Sequence, residues 1–248
     1  MNTCKIYFAS DQHFGAPNQI QSAKREKIFL EWLEFIEKDA TALFLLGDLF
    51  DFWFEYKTVV PKGFVRILGK LASMSDQGIP IYFFVGNHDL WMTDYFKTEL
   101  NINVFHDPQK FSFQNKSFFI GHGDGKGPGD LGYKRMKKVF TSPFFQFLFR
   151  WLHPDIGVKI AQHLSIKNKL ISGAEDVRFL GEESEWLVQY SKRKLENEHF
   201  DYFIFGHRHL PLEIPISELS TYFNLGDWIQ YYTYGVFDGD QFKLEKFK

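Results

Sequence analysis

The chain has 248 residues, 44% of them hydrophobic and 24% charged, with 29 Lys and Arg against 31 Asp and Glu. That length suits one domain with a sizeable core, and the charged fraction excludes a disordered or fibrous chain. A net charge of −2 argues against a surface given over wholly to nucleic acid, whereas 30 Phe against 19 Gly is an unusual aromatic load.

In chain order, the first apolar run, Lys5 to Ala9, leads into Ser10-Asp11-Gln12-His13. From Lys24 to Lys38, Ile28, Phe29, Trp32, Leu33 and Ile36 recur at helical spacing. A second strand-like run, Ala42 to Leu46, leads into Gly47-Asp48-Leu49-Phe50-Asp51, and Phe64 to Met74 predicts another helix, punctuated by Gly78 and Pro80. Ile81 to Val85 then leads into Gly86-Asn87-His88-Asp89, and Ser117 to Ile120 into Gly121-His122-Gly123-Asp124. Ser142 and Pro143 form a helix start, followed by Phe144, Phe145, Phe147, Leu148, Phe149, Trp151 and Leu152. A helix apolar on nearly all sides must be buried as a core helix, inserted in lipid, or used to grip something apolar. Ala174 to Glu198 reads as an amphipathic packing helix, and Tyr202 to Phe205 leads into Gly206-His207-Arg208-His209. Tyr222, Tyr231, Tyr232 and Tyr234 read as strand residues of a second sheet.

Continuous apolar runs stopped by glycine are strands buried on both faces, and their alternation with helices predicts an α/β fold with a mixed sheet. Ligands of such sheets bind beyond the carboxyl ends of the strands, where every one of these Asp, Asn and His residues falls. Five of the nine histidines lie in these segments. Taken singly, each segment has a plainer explanation, as a capped turn or a satisfied core histidine. Five such coincidences at five strand ends are far less probable. Carboxylate, amide oxygen and imidazole without thiolate suit manganese, iron, cobalt or zinc rather than calcium. Seven candidate ligands (Asp11, His13, Asp48, Asn87, His122, His207 and His209) exceed one tetrahedral site but fit two adjacent metals.

The ordered set D-x-H, G-D-x-x-D, G-N-H-D, G-H-G-D and G-H-x-H, from Asp11 to His209, resembles the calcineurin-like metallophosphoesterase superfamily. The resemblance implies two packed mixed β-sheets flanked by helices and a dinuclear centre, with manganese favoured. Asp11, His13, Asp48 and His209 would hold one metal; Asp48, Asn87, His122 and His207 would hold the other, with Asp48 bridging. A metal-activated hydroxide would be the nucleophile. His88 would face the phosphate, oriented by Asp89, so that His88, Asp89 and Asp48 form the catalytic set, and Asn87 and His207 would also meet the substrate.

Within the superfamily, Gly47-Asp48-Leu49-Phe50-Asp51-Phe52-Trp53 and Leu225-Gly226-Asp227-Trp228 resemble the UDP-2,3-diacylglucosamine pyrophosphatases of lipid A biosynthesis. That resemblance implies hydrolysis of the nucleotide-activated glycolipid to UMP and 2,3-diacylglucosamine 1-phosphate. It also implies substrate contacts at Asp130 and Tyr133 and, on a helical cap, at Ser165, Lys167 and Lys169. The chain departs from the best-known members by carrying His88 where they have Arg. The rival readings are a generic phosphodiesterase or nuclease of the superfamily and a non-catalytic scaffold. A scaffold has no reason to keep every ligand, and a nuclease has no use for a greasy cap.

We expect one domain over residues 1–248, with a helical cap inserted at 126–198. From Lys126 to Lys169, nine Lys or Arg face only Asp130 and Asp155, so this segment is +7 and the remainder −9. A cationic, aromatic cap is expected to rest on an anionic membrane surface. The lone Cys4, which excludes an internal disulfide, and the absence of a basic-then-apolar leader point to the cytoplasm, peripheral on the inner membrane, with nucleic acid disfavoured as partner.

Overall fold

The computed structural model describes residues 5–127, 131–160, 179 and 181–248. Two sheets pack face to face. The first has six strands in the order β11-β10-β1-β2-β3-β4: β1 (Lys5–Ala9), β2 (Ala40–Leu45), β3 (Ile81–Phe84), β4 (Asn103–Phe105), β10 (Thr233–Phe237) and β11 (Phe242–Lys246). The second has five in the order β5-β6-β7-β9-β8: β5 (Gln109–Phe113), β6 (Lys116–Gly121), β7 (Tyr202–Phe205), β8 (Pro211–Ser217) and β9 (Ser220–Leu225). Both are mixed: β1, β2, β3 and β4 run parallel, as do β6, β7 and β9, while β5, β8, β10 and β11 pair antiparallel.

The strands read as unbroken apolar runs because each face of each sheet is covered. Ile6 and Phe8 of β1, Ala42 and Phe44 of β2, Phe118 and Ile120 of β6, Ile204 of β7 and Phe223 of β9 meet between the sheets. The alternate residues Tyr7, Ala9, Leu43, Leu45 and Phe83 point the other way, under α1 (Gln19–Ile36), α2 (Val65–Asp76) and α3 (Tyr95–Leu100). On the far side Phe119, Phe203, Phe205 and Tyr222 pack against the helix Trp186–Leu195. The period of two along a strand thus serves two cores at once.

Several boundaries move from their sequence positions. The first helix begins at Gln19, because the Asn18 side chain accepts the Gln21 N–H at 3.0 Å and caps it. The helix expected from Ala174 is described only from Trp186; residues 174–178 and 180 lie outside the described part. A turn precedes it, because Glu185 keeps extended backbone while its carboxylate receives Arg208 at 3.0 and 3.1 Å. Of the four tyrosines assigned to the second sheet, Tyr222 lies in it, but Tyr234 is in β10 of the first sheet and Tyr231 and Tyr232 are in the preceding loop. The chain changes sheets between β9 and β10, which alternation alone does not reveal.

Between β6 and Trp186 come α4 (Leu131–Phe140), α5 (Pro143–Arg150) and a helical stretch at 154–160. No residue of α5 is buried, so it is not a core helix. Phe149 turns inward, its ring 4.7 Å from those of Phe54 and Trp91, while Phe144, Phe147 and Trp151 are 63%, 54% and 78% exposed.

Candidate metal centre

The expected ligands converge at the carboxyl ends of β1, β2, β3, β6 and β7. Five of them (Asp11, His13, Asp48, His207 and His209) hold positive φ angles of 47–69°, a conformation that non-glycine residues adopt at a cost of order 1–3 kcal/mol. The strain persists because buried hydrogen bonds fix each turn. The Asp11 and His13 N–H groups donate to the Gly47 and Asp48 carbonyls at 3.1 and 2.9 Å. Asp11 Oδ2 accepts from the Ser10 hydroxyl at 2.6 Å and from the His207 N–H at 2.9 Å, joining the two sheets. Glycine is required where these turns touch. A Cβ at Gly206 would overlap Ser10 Oγ and stand 2.6 Å from Asp11 Oδ2, and one at Gly86 would collide with Asp48 Oδ1.

Three imidazoles present Nε2 inward; Nδ1 is hydrogen-bonded in His122 and His209, and in His13 it faces a carboxylate beyond hydrogen-bond distance. His122 Nδ1 lies 2.6 Å from the Leu46 carbonyl, which can only accept, so Nδ1 carries a hydrogen and Nε2 is the nitrogen turned to the centre. His209 Nδ1 lies 3.2 Å from Asp227 Oδ2, and His13 Nδ1 3.5 Å from Asp51 Oδ1. On the inner side, His13 Nε2 is 3.8 Å from Asp11 Oδ1, 3.6 Å from Asp48 Oδ2 and 3.2 Å from His209 Nε2. His209 Nε2 is 3.5 Å from Asp11 Oδ1. His122 Nε2 is 3.5 Å from Asp48 Oδ2 and 3.2 Å from Asn87 Oδ1. Asp48 Oδ2 therefore stands between the two histidine clusters.

Asp11-His13-His209 and Asp48-His122-His207 each offer ligand atoms within 4.8 Å of one another. Donors sharing one metal at about 2.1 Å sit about 3–3.5 Å apart, longer than a good hydrogen bond, which matches this spacing. Asp11 Oδ1 is buried and accepts no hydrogen bond among the described residues, so its lone pairs remain available to a cation. These residues fit divalent metal binding, with Asp48 within reach of both histidine clusters.

Electrostatics divide the ligands. Burial opposes ionisation of Asp48, but the charges of His122 and His88 hold it well below the usual carboxylate range. Burial likewise opposes protonation of His122, yet Asp48 raises it to about 10. Burial and the charge of His122 push His207 down to about 4, leaving it neutral as a ligand must be. Burial and the charge of Asp48 push Asp89 up to about 8.

Other expected residues take different places. Both Asp89 oxygens accept backbone N–H groups, from Gly86 at 2.6 Å and Leu49 at 3.1 Å. The carboxylate beside the His88 ring is Asp51, not Asp89: His88 Nδ1 is 2.9 Å from the Asp51 carbonyl and 3.7 Å from Asp51 Oδ1. Asp89 instead holds the G-N-H-D turn against β2. The Tyr133 hydroxyl donates to Asp124 Oδ2 at 2.6 Å, and Lys137 reaches the same atom at 2.5 Å, tying α4 to the loop after β6. Asp130, Ser165, Lys167 and Lys169 lie outside the described residues. Sequence reading missed Ser10, Asp51 and Asp227 as supports of the ligands; only the G-D-x-x-D spacing hinted at Asp51.

The calcineurin-like phosphoesterase family model matches residues 4–211, all of the strand ends that build this centre included. The chain belongs to that family. This phosphoesterase is 37% identical over 97% of its length to a UDP-2,3-diacylglucosamine hydrolase of Porphyromonas gingivalis, 97% of which is covered. A UDP-2,3-diacylglucosamine hydrolase of Actinobacillus succinogenes is 26% identical, with 90% of this chain and 92% of that one aligned. Among solved structures, a phosphoesterase from E. coli aligns with a TM-score of 0.49 at 17% identity, covering 98% of this chain and 93% of the other. The phosphoesterase draws these candidate ligands from the strand ends of both sheets, so they come together only when the sheets are packed.

Proposed function

We propose that this phosphoesterase hydrolyses the pyrophosphate of UDP-2,3-diacylglucosamine, giving UMP and 2,3-diacylglucosamine 1-phosphate. One observation carries the substrate class: a cavity of about 420 Å³ opens beside the metal centre under the helical stretch at 154–160. Phe14, Phe52, Val59, Phe64 and Val158 line it, Lys62 and Lys159 stand with Asp51 and Asp155 in its wall, and Asp51 is also the neighbour of His13 and His88. A mainly apolar chamber of that size, sharing Asp51 with the surroundings of the phosphoester centre, fits the acyl part of an acylated phosphosugar. The curated relatives named UDP-2,3-diacylglucosamine hydrolase support the same substrate.

Asp11, His13 and His209 would hold one divalent metal and Asn87, His122 and His207 the other, with Asp48 between them; manganese is our choice. Bound there, two metals supply an activated water and neutralise charge at phosphorus. Water adds across the anhydride, so the P–O–P bond breaks, the attacked phosphorus gains the oxygen and the leaving phosphate takes a proton. His88 is placed for that proton. The Asp51 carbonyl fixes a hydrogen on Nδ1, and a second proton on Nε2 makes the ring cationic with Asp51 Oδ1 as counter-charge. Binding energy from the acyl chains then orients the phosphate, which raises rate as well as affinity.

The test is manganese-dependent UMP release from the diacyl nucleotide sugar and from its deacylated analogue. The diacyl compound should be strongly preferred in kcat/KM, and Val158→Trp should erase that preference while sparing a simple aryl phosphodiester. Equal rates on the two nucleotide sugars would remove the substrate assignment.

We also propose a peripheral station on an anionic membrane, on the cytoplasmic face. Exposed Phe144, Phe147 and Trp151 lie among exposed Arg135, Lys138, Arg150 and Lys159, and apolar residues so placed beside cations suit a lipid headgroup boundary. No helix among the described residues is long and apolar enough to cross a membrane.

A further inference from the structure

The loop between β9 and β10 crosses from one sheet to the other, and Asp227 sits at its turn. Its carboxylate is nearly buried and divides its two oxygens. Oδ1 accepts the N–H groups of Ile229, Gln230 and Tyr231 at 3.1, 2.8 and 3.1 Å. Oδ2 is left to face His209 Nδ1 at 3.2 Å. The loop is itself anchored on both sides: the Trp228 N–H reaches the Asp11 carbonyl at 3.2 Å, and the Trp228 ring, fully buried, packs 4.7 Å from Phe29 and 5.0 Å from Trp32.

His209 is the imidazole that most needs such a partner. Its side chain is 25% exposed, whereas those of His13 and His122 are 0% and 1% exposed and are wedged in place by packing. Its backbone holds a φ of 55°, so its ring projects from a strained turn.

We propose that Asp227 is a positioning residue that locks His209 in the Nδ1–H tautomer, aims Nε2 at the Asp11 side of the centre, and thereby sets the affinity of the metal held by Asp11, His13 and His209. This inference rests on the two-metal reading of the centre. A carboxylate can only accept, so Oδ2 requires the hydrogen on Nδ1 and leaves the Nε2 lone pair for the metal; partners of this kind are commonly worth 10–100-fold in metal affinity.

The three N–H donors on Oδ1 make Asp227→Asn a directed perturbation. The Asn oxygen must stay on those donors, so its NH2 group turns to His209 Nδ1. An NH2 group donates, which forces the hydrogen onto Nε2 and blocks the metal-binding lone pair. Asp227→Asn therefore keeps the loop but imposes the wrong tautomer.

The experiment is Mn2+ titration calorimetry of the full chain and thermal unfolding of the metal-free and Mn2+-loaded protein. The wild type should bind two Mn2+. Asp227→Asn should keep the metal-free unfolding temperature yet bind one Mn2+ at least about 10-fold more weakly, leaving the other unchanged. His209→Ala should weaken the same ion, and adding Asp227→Asn to it should cost nothing further. If Asp227→Asn binds both ions with wild-type affinity, or if its metal-free unfolding temperature falls in parallel with its Mn2+ affinity, Asp227 is a structural loop residue and the proposal is overturned. If the wild type itself binds no Mn2+, the two-metal reading fails and this inference falls with it.

Discussion

Asp48→Asn removes the charge at the middle of the centre while changing the shape of the side chain little. Asn tolerates the φ of 53° at this position, and its Oδ1 can still accept the His88 N–H, now at 2.8 Å. Two linked effects oppose each other in the metal-free protein. Asp48 raises His122 to about 10 against an ordinary value of 6.5, a stabilisation of about 4 kcal/mol at pH 7. Being a raised base, it is fully present below pH 6.5 and lost as the pH climbs towards 10. Removing Asp48 forfeits most of it, since Asp11 and Asp124 also favour the protonated ring. The same charge, after burial, also pushes Asp89 up to about 8, a penalty at pH 7 that the substitution partly relieves. The net loss of metal-free stability should therefore be smaller than about 4 kcal/mol, and the protein should remain folded.

Function should not survive. Losing the shared ligand forfeits several kcal/mol of charge neutralisation at phosphorus, about 10³-fold or more in rate. The assays are circular dichroism, Mn2+ content after dialysis and UMP release. A folded Asp48→Asn protein that retains two Mn2+ and hydrolyses within tenfold of the wild type would refute the shared-ligand geometry.

Two further outcomes follow from the structure. Because the proton that Asp48 holds on His122 must leave before Nε2 can bind a metal, Mn2+ affinity should rise with pH between 6 and 9 and calorimetry should detect proton release; pH-independent affinity would contradict the raised His122. Replacing Phe144, Phe147 and Trp151 by Glu should abolish flotation with anionic liposomes while leaving the unfolding temperature within about 2 °C, since all three are exposed; equal flotation of both proteins would remove the membrane proposal.

The centre was legible in the sequence because its chemistry is local: each ligand follows an apolar strand within a few residues, and glycines mark the points where a side chain cannot fit. Asp11, His13, Asp48, Asn87, His122, His207 and His209 could be gathered from the spacing of strand and turn together with the family resemblance. Their supports could not. Asp51 looks like one more acid of an acidic loop, and Asp227 like a turn residue, until folding brings them to the Nδ1 atoms of His13 and His209. The sequence also left open whether the aromatic segment after Ser142 was core or surface; packing decided it by burying no residue of α5 and turning Phe149 alone of its rings onto Phe54 and Trp91. By itself the sequence determined which residue types stand at the strand ends and that helices cover the sheets, because these depend on neighbours along the chain. Only the tertiary structure decided that the chain switches sheets between β9 and β10 and which histidine leans on which carboxylate, because those contacts join residues separated by tens to hundreds of positions.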